Sequence, residues 1–399
     1  MFNITDSPLE NKTRSVVLGA AAAAALLFSS SARADGTCRD KPSPIYGLGG
    51  SATKPLLGKV AAALAAQASP RTIIYQAPGA CVGINGLIGA TALTGTASYW
   101  DAAGKEQTCT IDTPQPIDFA NMGNSATSCP GVSALPSDIG DFSGPVNAYT
   151  LIVPKASSQV SISREAAYFV FGFGDQGQAA PWTDPQNIFV RDQSSAAQLF
   201  ISIATGVPPQ KFIGVDTKSN SGTITAVGQS KKPEAAIGLV SGEVADASRD
   251  TVKVLAYQHT GQRCGFWPDS TATSFDKRSV RNGQYWLWAP VHFFAKVDAQ
   301  KKIVNPAVAE LIGLFTGDTV LPNVDMLAIE TKSGNVPKCA MNVWRDGDLG
   351  EIRKQEPVAP CGCAFEKLAT GTSTCGVCET NAQCGASAPV CRFGFCEAK

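Results

Sequence analysis

An arginine placed four residues before a serine at the start of a helix is suited to hold a small anion. Arg191 lies in the strand-like stretch NIFVRD, and Ser195 opens the helix-like stretch SAAQLFISIATG. A helix N-terminus exposes unpaired backbone N–H groups at the positive end of the helix dipole. The guanidinium group adds a planar fork of donors that matches an oxyanion. The segment therefore predicts an anion site.

Two further turns rich in glycine, serine or alanine stand directly before helix-like stretches, at residues 47–51 and 78–81. Taken singly, such a turn is more often an ordinary helix cap. Three turns that converge would surround one multi-oxygen anion with N–H groups, and together with Arg191 they favour the binding interpretation. An ion pair between Arg191 and Asp192 is the competing explanation, although neighbouring residues on a strand point to opposite faces.

The other motifs that carry chemistry are weak. Gly172, Gly174 and Gly177 form G-x-G-x-x-G, but a helix-like stretch precedes them where a dinucleotide fold requires a strand. The histidines, His259 and His292, lie in no metal or hydrolase motif, and His292 stands in the apolar stretch WLWAPVHFFAKV, which is typical of a packed residue. Without a recognisable nucleophile–base pair or metal cluster, we expect no enzyme activity, no metal and no cofactor.

Strand-like and helix-like stretches alternate from about residue 45 to residue 326. β-Branched and aromatic residues dominate RTIIYQ, NAYTLIVP, NIFVRD, TVKVLAY and WLWAPVHFFAKV, whereas KPLLGKVAAALAAQ, SREAAYFVFGF and SAAQLFISIATG have helical character. This alternation predicts an α/β fold. In such folds ligands bind at the carboxyl ends of the strands.

The N-terminal residues indicate export. A charged segment, the apolar run of residues 15–28 and the sequence Ala-Arg-Ala at residues 32–34 predict a secretory signal peptide over residues 1–34. The formal net charge of the chain is +0, which provides no electrostatic footprint for nucleic acid or an anionic membrane. We expect a soluble protein of the periplasm, the exterior or the cell surface.

Thirteen cysteines follow the predicted signal peptide, which in an exported chain indicates disulfides. The odd number leaves at least one thiol unpaired, for which Cys81 is the candidate. A pair between Cys109 and Cys129 is favoured because it closes a short loop, and the other pairings stay open.

Seven of the cysteines lie between residues 361 and 396. We predict a linker over residues 343–360 and a small disulfide-stapled module over residues 361–399, because so short a module needs staples to hold a fold. Cys375 and Cys378 would indicate zinc or redox chemistry in a cytosolic protein, but export favours disulfides here.

Seven segments, in this order and spacing, resemble the solute-binding proteins of phosphate ABC importers. They are GLGGSATKPLL, YQAPGACVG, PIDFANMGNS, NAYTLIVPK, PWTDPQNIFVRDQSS, SNSGTITAV and AAIGLV, within roughly residues 45–297. The resemblance implies a two-lobed, hinged periplasmic-binding-protein fold. Lobe I would comprise residues 35–147 and 286–342, and lobe II residues 148–285. The cysteine-rich tail lies outside the family pattern.

The resemblance also implies site residues. In that family, phosphate is bound by a hydroxyl residue of the first glycine-rich turn and by the arginine and serine of an R-x-x-x-S-G-T motif. These fall on Ser51, Arg191 and Ser195. Ala52 stands where an aromatic residue often contributes its N–H group.

Several family residues are replaced in this chain. Ala80 stands for the serine of the second turn, Gly123 for the aspartate of the DFAGSD-like segment, and Ala196 and Ala197 for the Gly-Thr of the motif. The family's aspartate accepts a hydrogen bond from an oxyanion that still carries a proton, so its loss should weaken a preference for hydrogen phosphate over sulfate. Asn124 is adjacent and offers an amide oxygen. The predicted ligand-binding residues are Ser51, Ala52, Ala80, Cys81, Asn124, Arg191, Ser195 and Ala196.

The leading hypothesis is an exported, monomeric solute-binding protein that closes two lobes around a small oxyanion, first of all phosphate, for uptake by an ABC permease. The alternative is a secreted or cell-surface interaction protein with a degenerate anion site and a disulfide-rich contact tail. A phosphate-ester hydrolase, an activity credited to some relatives of this fold, is disfavoured because neither a metal cluster nor an activated nucleophile is recognisable.

Overall fold

The computed structural model describes residues 36–398 of the 399-residue chain. The predicted signal peptide, residues 1–34, lies outside the described residues. Within residues 36–398, no helix is both long enough and apolar enough to span a bilayer. This part of the chain forms ten α-helices and seventeen strands, connected in places by short 3-10 turns.

The helices vary from four to twelve residues in length. They are α1 (Lys54–Ala65), α2 (Ala80–Ile88), α3 (Arg164–Phe173), α4 (Ala196–Thr205), α5 (Asn220–Gly228), α6 (Gly242–Asp246), α7 (Arg278–Arg281), α8 (Pro306–Thr316), α9 (Met326–Lys332) and α10 (Gly362–Thr370). The three stretches predicted to be helical contain α1, α3 and α4.

The strands run through the same part of the chain and alternate with these helices. They are β1 (Pro44–Gly49), β2 (Thr72–Gln76), β3 (Leu93–Trp100), β4 (Glu106–Gln115), β5 (Phe119–Met122), β6 (Ile139–Pro154), β7 (Ser161–Ser163), β8 (Ile188–Val190), β9 (Val215–Asp216), β10 (Ile237–Ser241), β11 (Val252–Val254), β12 (Ala256–Gln258), β13 (Trp288–Lys296), β14 (Val343–Trp344), β15 (Arg353–Lys354), β16 (Val390–Arg392) and β17 (Phe395–Glu397). Four of the five stretches predicted as strands contain one, and the fifth, NAYTLIVP, is the second half of β6. The α/β prediction is confirmed.

An eleven-stranded sheet carries the fold, in the order β4-β3-β2-β1-β5-β13-β6-β10-β8-β9, with β11 paired to β6. The sixteen-residue strand β6 connects its two halves. Residues 139–148 of β6 pair with β13, and residues 149–152 pair with β10. Parallel neighbours flank β1 in one half and β8 in the other, so that the carboxyl ends of these strands lead into the helices α1, α2 and α4.

Separate apolar clusters cover the two faces of the first half of the sheet. Ile45 and Phe119 pack into one cluster with α1 and α8, whereas the next residues, Tyr46 and Ala120, pack into another with α2. This division follows from the strand geometry, because successive side chains point to opposite faces. In the second half, α3 and α4 pack on β6 and β10. The helices whose starts face the site are therefore anchored by their apolar sides.

Two disulfide predictions for the first half of the chain are wrong. Cys81 is not free but pairs with Cys129, with a Cα–Cα distance of 5.4 Å. Cys109 pairs with Cys38, at 5.1 Å, and not with Cys129. The prediction relied on the short sequence separation between Cys109 and Cys129. In the fold, Cys109 lies on β4 beside the 3-10 turn that begins at Cys38, so these two cysteines are the neighbours in space. The unpaired cysteine is Cys264, which is exposed.

The cysteines near the C-terminus confirm disulfides in preference to zinc. Cys375 and Cys378 do not share a site, because each is bonded to a different cysteine. The pairs are Cys339–Cys361, Cys363–Cys375, Cys378–Cys391 and Cys384–Cys396. The prediction of a disulfide-rich C-terminal module is confirmed.

This module packs against the rest of the protein. The Cys339–Cys361 disulfide joins its first cysteine to the preceding chain. Phe365 of α10 is 1% exposed within the core of the second half, and the Arg281 guanidinium lies 5.2 Å from the centre of its ring. Residues 343–360 contain the antiparallel pair β14 and β15. The tail is thus held by both a covalent bond and a buried aromatic residue.

Thiol labelling checks this pairing. We expect a maleimide to modify one cysteine per chain in the folded, unreduced protein, because twelve of the thirteen cysteines are paired and Cys264 is exposed. Intact mass spectrometry measures the number of labels. Cys264→Ser should abolish the labelling, and a folded variant that still takes up a label would contradict the pairing.

Candidate anion-binding site

Three helix starts and one arginine line a single small cavity. The 3-10 turn Ser51–Thr53 ahead of α1, Ala80 at the start of α2 and Ala196 at the start of α4 contribute to its wall, as do Arg191 and Asn220. The cavity has a volume of about 50 Å³, whereas pockets for drug-sized ligands measure roughly 300–1,000 Å³. Its size suits a small ion.

Buried polar side chains hold the first turn. The Tyr75 hydroxyl lies 2.8 Å from the Gly50 carbonyl oxygen and 2.7 Å from Asn121 Oδ1. Asn121 Nδ2 donates to Thr53 Oγ1 at 2.8 Å, and Thr53 Oγ1 in turn donates to the Gly50 carbonyl at 3.0 Å. These bonds fix the backbone of the turn. None of them uses the hydroxyl of Ser51, a residue of the cavity wall, and this hydroxyl has no hydrogen-bond partner within residues 36–398.

The second turn touches the third. Gly79 has a φ of 150°, and a Cβ atom there would lie 2.7 Å from Ser194 Oγ, so this contact requires glycine. The Cys81 N–H donates to the Ser194 carbonyl oxygen at 3.5 Å. Cys81 therefore uses its N–H in this contact and its sulfur in the disulfide with Cys129, and it is not part of the cavity wall.

Arg191 is buried and has no carboxylate partner. It is 6% exposed, Nη1 donates to Asn220 Oδ1 at 2.6 Å, and Nη2 donates to the Lys218 carbonyl oxygen at 3.3 Å. Its Nε has no partner, and no carboxylate within the described chain lies within 4.0 Å of the guanidinium. Burial lowers the pKa of this group while Asp192 and Asp216 oppose the effect, and an arginine stays protonated in proteins. A buried positive charge with an unused donor thus borders the cavity.

Asp192 is engaged with Ser194 and not with Arg191. Its Oδ1 accepts a hydrogen bond from the Ser194 N–H at 2.9 Å and another from the Ser194 hydroxyl. This is the Asx-turn arrangement, in which an aspartate stabilises the backbone two residues further on. The turn places Ser195 as the N-cap of α4, where its hydroxyl makes no capping hydrogen bond. The competing explanation for Arg191, an ion pair with Asp192, is therefore excluded.

A chain of hydrogen bonds connects Arg191 to a buried acid. Asn220 accepts from Arg191 and donates through Nδ2 to Ser241 Oγ at 3.0 Å, and Ser241 Oγ donates to Glu243 Oε1. The ends set the direction of this chain, because a guanidinium only donates and a carboxylate only accepts. Glu243 Oε2 is buried without a partner among the described residues. Burial raises the pKa of Glu243 to about 7.

Asn124 lies outside the cavity wall. It is fully buried, its Nδ2 donates to Ser128 Oγ at 2.9 Å, and its Oδ1 has no partner within residues 36–398. Next to it, the Tyr149 hydroxyl donates to the Gly123 carbonyl at 2.5 Å. A Cβ atom at Gly123 would overlap this hydroxyl. The tyrosine thus occupies the space where a side chain of residue 123 would begin, and neither position supplies a hydrogen-bond acceptor to the cavity.

The remaining sequence motifs have structural explanations. The glycines of G-x-G-x-x-G lie at the end of α3 and in the following 3-10 turn Gly174–Gly177, with a helix and not a strand before them. His292 Nδ1 lies 2.7 Å from Asp141 Oδ1, and its side chain is 13% exposed, which confirms the prediction of a packed residue.

Most of the predicted site residues line the cavity, whereas Cys81 and Asn124 do not. Those that do are Ser51, Ala52, Ala80, Arg191, Ser195 and Ala196. Sequence reasoning missed Asn220 and the backbone of Lys218, both of which contact the guanidinium. The signal was present, because Asn220 lies in the segment SNSGTITAV, which is part of the family resemblance.

Comparison with solved structures places this geometry in a known fold. A protein from Clostridium perfringens, described as a phosphate ABC transporter substrate-binding protein with bound phosphate, matches with a TM-score of 0.51 and 11% identity. The match covers 74% of this chain and 99% of that chain. The chain has the fold of a two-lobed solute-binding protein. At this identity the similarity concerns the fold alone.

A further solved structure, an ABC-type phosphate transport receptor from Vibrio cholerae, matches with a TM-score of 0.49 and 15% identity. The match covers 73% of this chain and 99% of that chain. No family model matches the sequence, and no curated protein matches it.

The buried acid gives a pH-dependent stability. The Glu243 carboxyl has a pKa of about 7 in the folded protein and of about 4.5 in the unfolded chain. Between these pH values the unfolded chain binds fewer protons than the folded protein. The free energy of unfolding therefore falls as the pH rises. Relative to Glu243→Gln, wild type should lose about 2 kcal/mol between pH 5 and pH 8. Denaturant unfolding at both pH values measures this difference. The cost of burying the glutamine amide in the variant is the same at both pH values and therefore cancels.

Glu234→Gln is the matched control. The pKa of Glu234 is lowered to about 2 because the Ser158 N–H and neighbouring side chains donate to its carboxylate. The stabilisation that the Glu234 carboxylate provides is present above pH 4.5 and is lost only as the pH falls below that value. Between pH 5 and pH 8 the free energy of unfolding of Glu234→Gln should therefore change with pH as that of wild type does. If the free energy of unfolding of Glu243→Gln also changed with pH as that of wild type does, Glu243 would not titrate in this range.

Proposed function

We propose that the protein binds a small oxyanion, with phosphate as the first candidate, and delivers it to an ABC permease. One observation carries this proposal: the buried Arg191 guanidinium borders an ion-sized cavity and has no carboxylate partner among residues 36–398. Removing one partner of a buried ion pair costs about 3–5 kcal/mol. An anion in the cavity would supply the missing charge and accept the unused hydrogen bonds.

The binding groups come from both halves of the sheet. Ser51 and Ala80 follow β1 and β2, whereas Arg191 and Ser195 follow β8. We propose that residues 35–147 and 286–342 form one lobe and residues 148–285 the other. Because each half contributes donors to the same ligand, an anion would favour the conformation in which they meet. The hydrogen bond from the Cys81 N–H to Ser194 is consistent with such a closed conformation.

Selectivity among oxyanions should be weak. An acceptor for the proton of hydrogen phosphate would be needed to disfavour sulfate, and Gly123 provides none because Tyr149 fills the adjoining space. Asp192 also lines the cavity; Ser194 engages its Oδ1, which leaves Oδ2 as the carboxylate oxygen of the wall that could accept this proton. We therefore expect at most a modest preference of the site for phosphate and arsenate over sulfate.

We further propose that the protein acts as an exported monomer in the periplasm or at the cell surface, without enzyme activity. The second candidate is an interaction protein whose anion site has degenerated. It is favoured by the missing acceptor at Gly123. Substituting exposed residues of the C-terminal module, as in Val377→Asp with Phe393→Asp, tests it while keeping the buried Phe365. Loss of surface retention by the folded variant, in a protein that binds no oxyanion, would support a contact role for residues 361–399.

Isothermal titration calorimetry tests anion binding. We expect phosphate, arsenate and sulfate to bind below millimolar concentration, and Arg191→Ala to weaken each at least tenfold, because a hydrogen bond to a charged group contributes about 1.5–3 kcal/mol. Ser195→Ala should weaken binding less, by about fivefold, since a neutral hydrogen bond contributes about 1 kcal/mol.

Arg263→Ala is the matched control, because Arg263 is exposed and lies outside the cavity wall. It should bind every anion as wild type does. The proposal is wrong if none of the three anions binds below millimolar concentration, or if Arg191→Ala folds and binds them with unchanged affinity.

A further inference from the structure

A much larger groove adjoins the anion cavity, and the two share lining residues. This groove has a volume of about 990 Å³ and is bordered by α1, Trp100, the start of α5 and residues 323–332. Ser51 and Asn220 line both the groove and the small cavity. An anion held in the cavity would therefore lie next to a space large enough for an organic group.

The walls of the groove are partly apolar. Ala62 of α1, Trp100 of β3, Ala328 and Ile329 line it. Trp100 is 5% exposed and its ring packs against α1 at Gly58, where a Cβ atom would lie 2.7 Å from the indole nitrogen. Such walls can pack against the carbon skeleton of a ligand, which inorganic phosphate does not have.

Two lysines of the groove, Lys59 and Lys332, form no ion pair within residues 36–398, although Glu106 and Asp325 also line the groove. Lys59 Nζ donates to the Lys332 carbonyl oxygen at 2.7 Å, and neither ammonium group lies within 4.0 Å of a carboxylate in the described part of the chain. Both lysines are exposed, and partial desolvation together with the nearby charge of Lys332 lowers the pKa of Lys59. By contrast, Lys54 in the same groove is paired with Glu106 at 2.5 Å. A second anionic group would relieve the repulsion between Lys59 and Lys332.

We propose that the ligand is a phosphate monoester that carries a second anionic group. Its phosphoryl group would occupy the cavity at Arg191, its organic part would lie along the groove, and the second anionic group would reach Lys59 and Lys332. The proposal rests on the proposed function, because it places the phosphoryl group in the same anion site.

The dimensions and the chemistry of the site agree with this class. Lys59 lies eight residues after Ser51, across the 3-10 turn Ser51–Thr53 and the first part of α1. At about 1.5–2.0 Å per residue this corresponds to roughly 12–14 Å along the backbone axis. This span suits a small sugar or organic-acid skeleton between two anionic ends. A phosphate monoester also loses its last proton near pH 6, at about the pKa of phosphorylated side chains. Above neutral pH it therefore does not need the acceptor that Gly123 fails to provide.

Calorimetry with three probes tests the proposal: inorganic phosphate, glucose 6-phosphate and fructose 1,6-bisphosphate. We expect the bisphosphate to bind about tenfold more tightly than the monophosphate, because it adds charged hydrogen bonds at the lysines. Glucose 6-phosphate should bind at least as tightly as inorganic phosphate. Arg191→Ala should weaken all three.

Two sets of variants locate the organic part. The double variant Lys59→Met and Lys332→Met should remove the advantage of the bisphosphate and leave inorganic phosphate unchanged, while the exposed Lys231→Met serves as its control. Ala62→Phe should obstruct the groove and weaken both esters. Ala63→Phe, on the same helix but outside the groove wall, should not.

The outcomes separate this proposal from the proposed function. If inorganic phosphate binds but the esters bind more weakly or not at all, the ester proposal is overturned and anion binding stands. If no probe binds, both fall. If Arg191→Ala still binds the esters as wild type does, their phosphoryl group lies elsewhere. If the double lysine variant still binds the bisphosphate more tightly than the monophosphate, the second anionic group does not contact Lys59 and Lys332. Either result overturns the proposal.

Discussion

A buried guanidinium group with no carboxylate partner in the described part of the chain is the constraint on which the site depends. Arg191 is held by an amide oxygen and a backbone carbonyl, both of which are neutral acceptors. These bonds orient the group but do not balance its charge. Burying an unbalanced charge is costly, and proteins usually avoid it by pairing. The proposed anion would balance this charge, which no carboxylate within residues 36–398 does.

The rest of the architecture places neutral donors around that charge. Helix starts provide N–H groups without adding side-chain charge. Their positions follow from the sheet, because parallel strands in each half deliver their carboxyl ends to the same region. Strand β6 is shared by both halves, and the change of its partner from β13 to β10 occurs between residues 148 and 149. One long strand thus sets the relative placement of two groups of helices.

Features that depend on local sequence were predictable. The alternation of β-branched and alanine-rich stretches identified the strands and helices, and the turns before α1, α2 and α4 were recognisable from their small residues. Arg191 and Ser195 could be assigned for the same reason, since both stand at the junction of β8 and α4.

Features that depend on contacts between distant segments were not predictable. The Cys38–Cys109 pair depends on β4 lying beside the N-terminal turn, and the role of Asn220 depends on α5 beginning next to Arg191. The position of Tyr149 at Gly123 likewise joins residues 26 apart. In each case a residue's type gave its chemistry, but only the tertiary structure gave its partner.

The contact between Gly79 and Ser194 has a consequence for the proposed closure of the two halves. Hydrogen occupies the place of a side chain at residue 79, and the neighbouring segment approaches into the space this leaves. A methyl group there, as in Gly79→Ala, would contact Ser194 Oγ too closely and push the two segments apart. It would leave every charged group of the cavity unchanged. A substitution at residue 79 can therefore change the free energy of contact between the two segments without changing the groups that would bind the proposed anion.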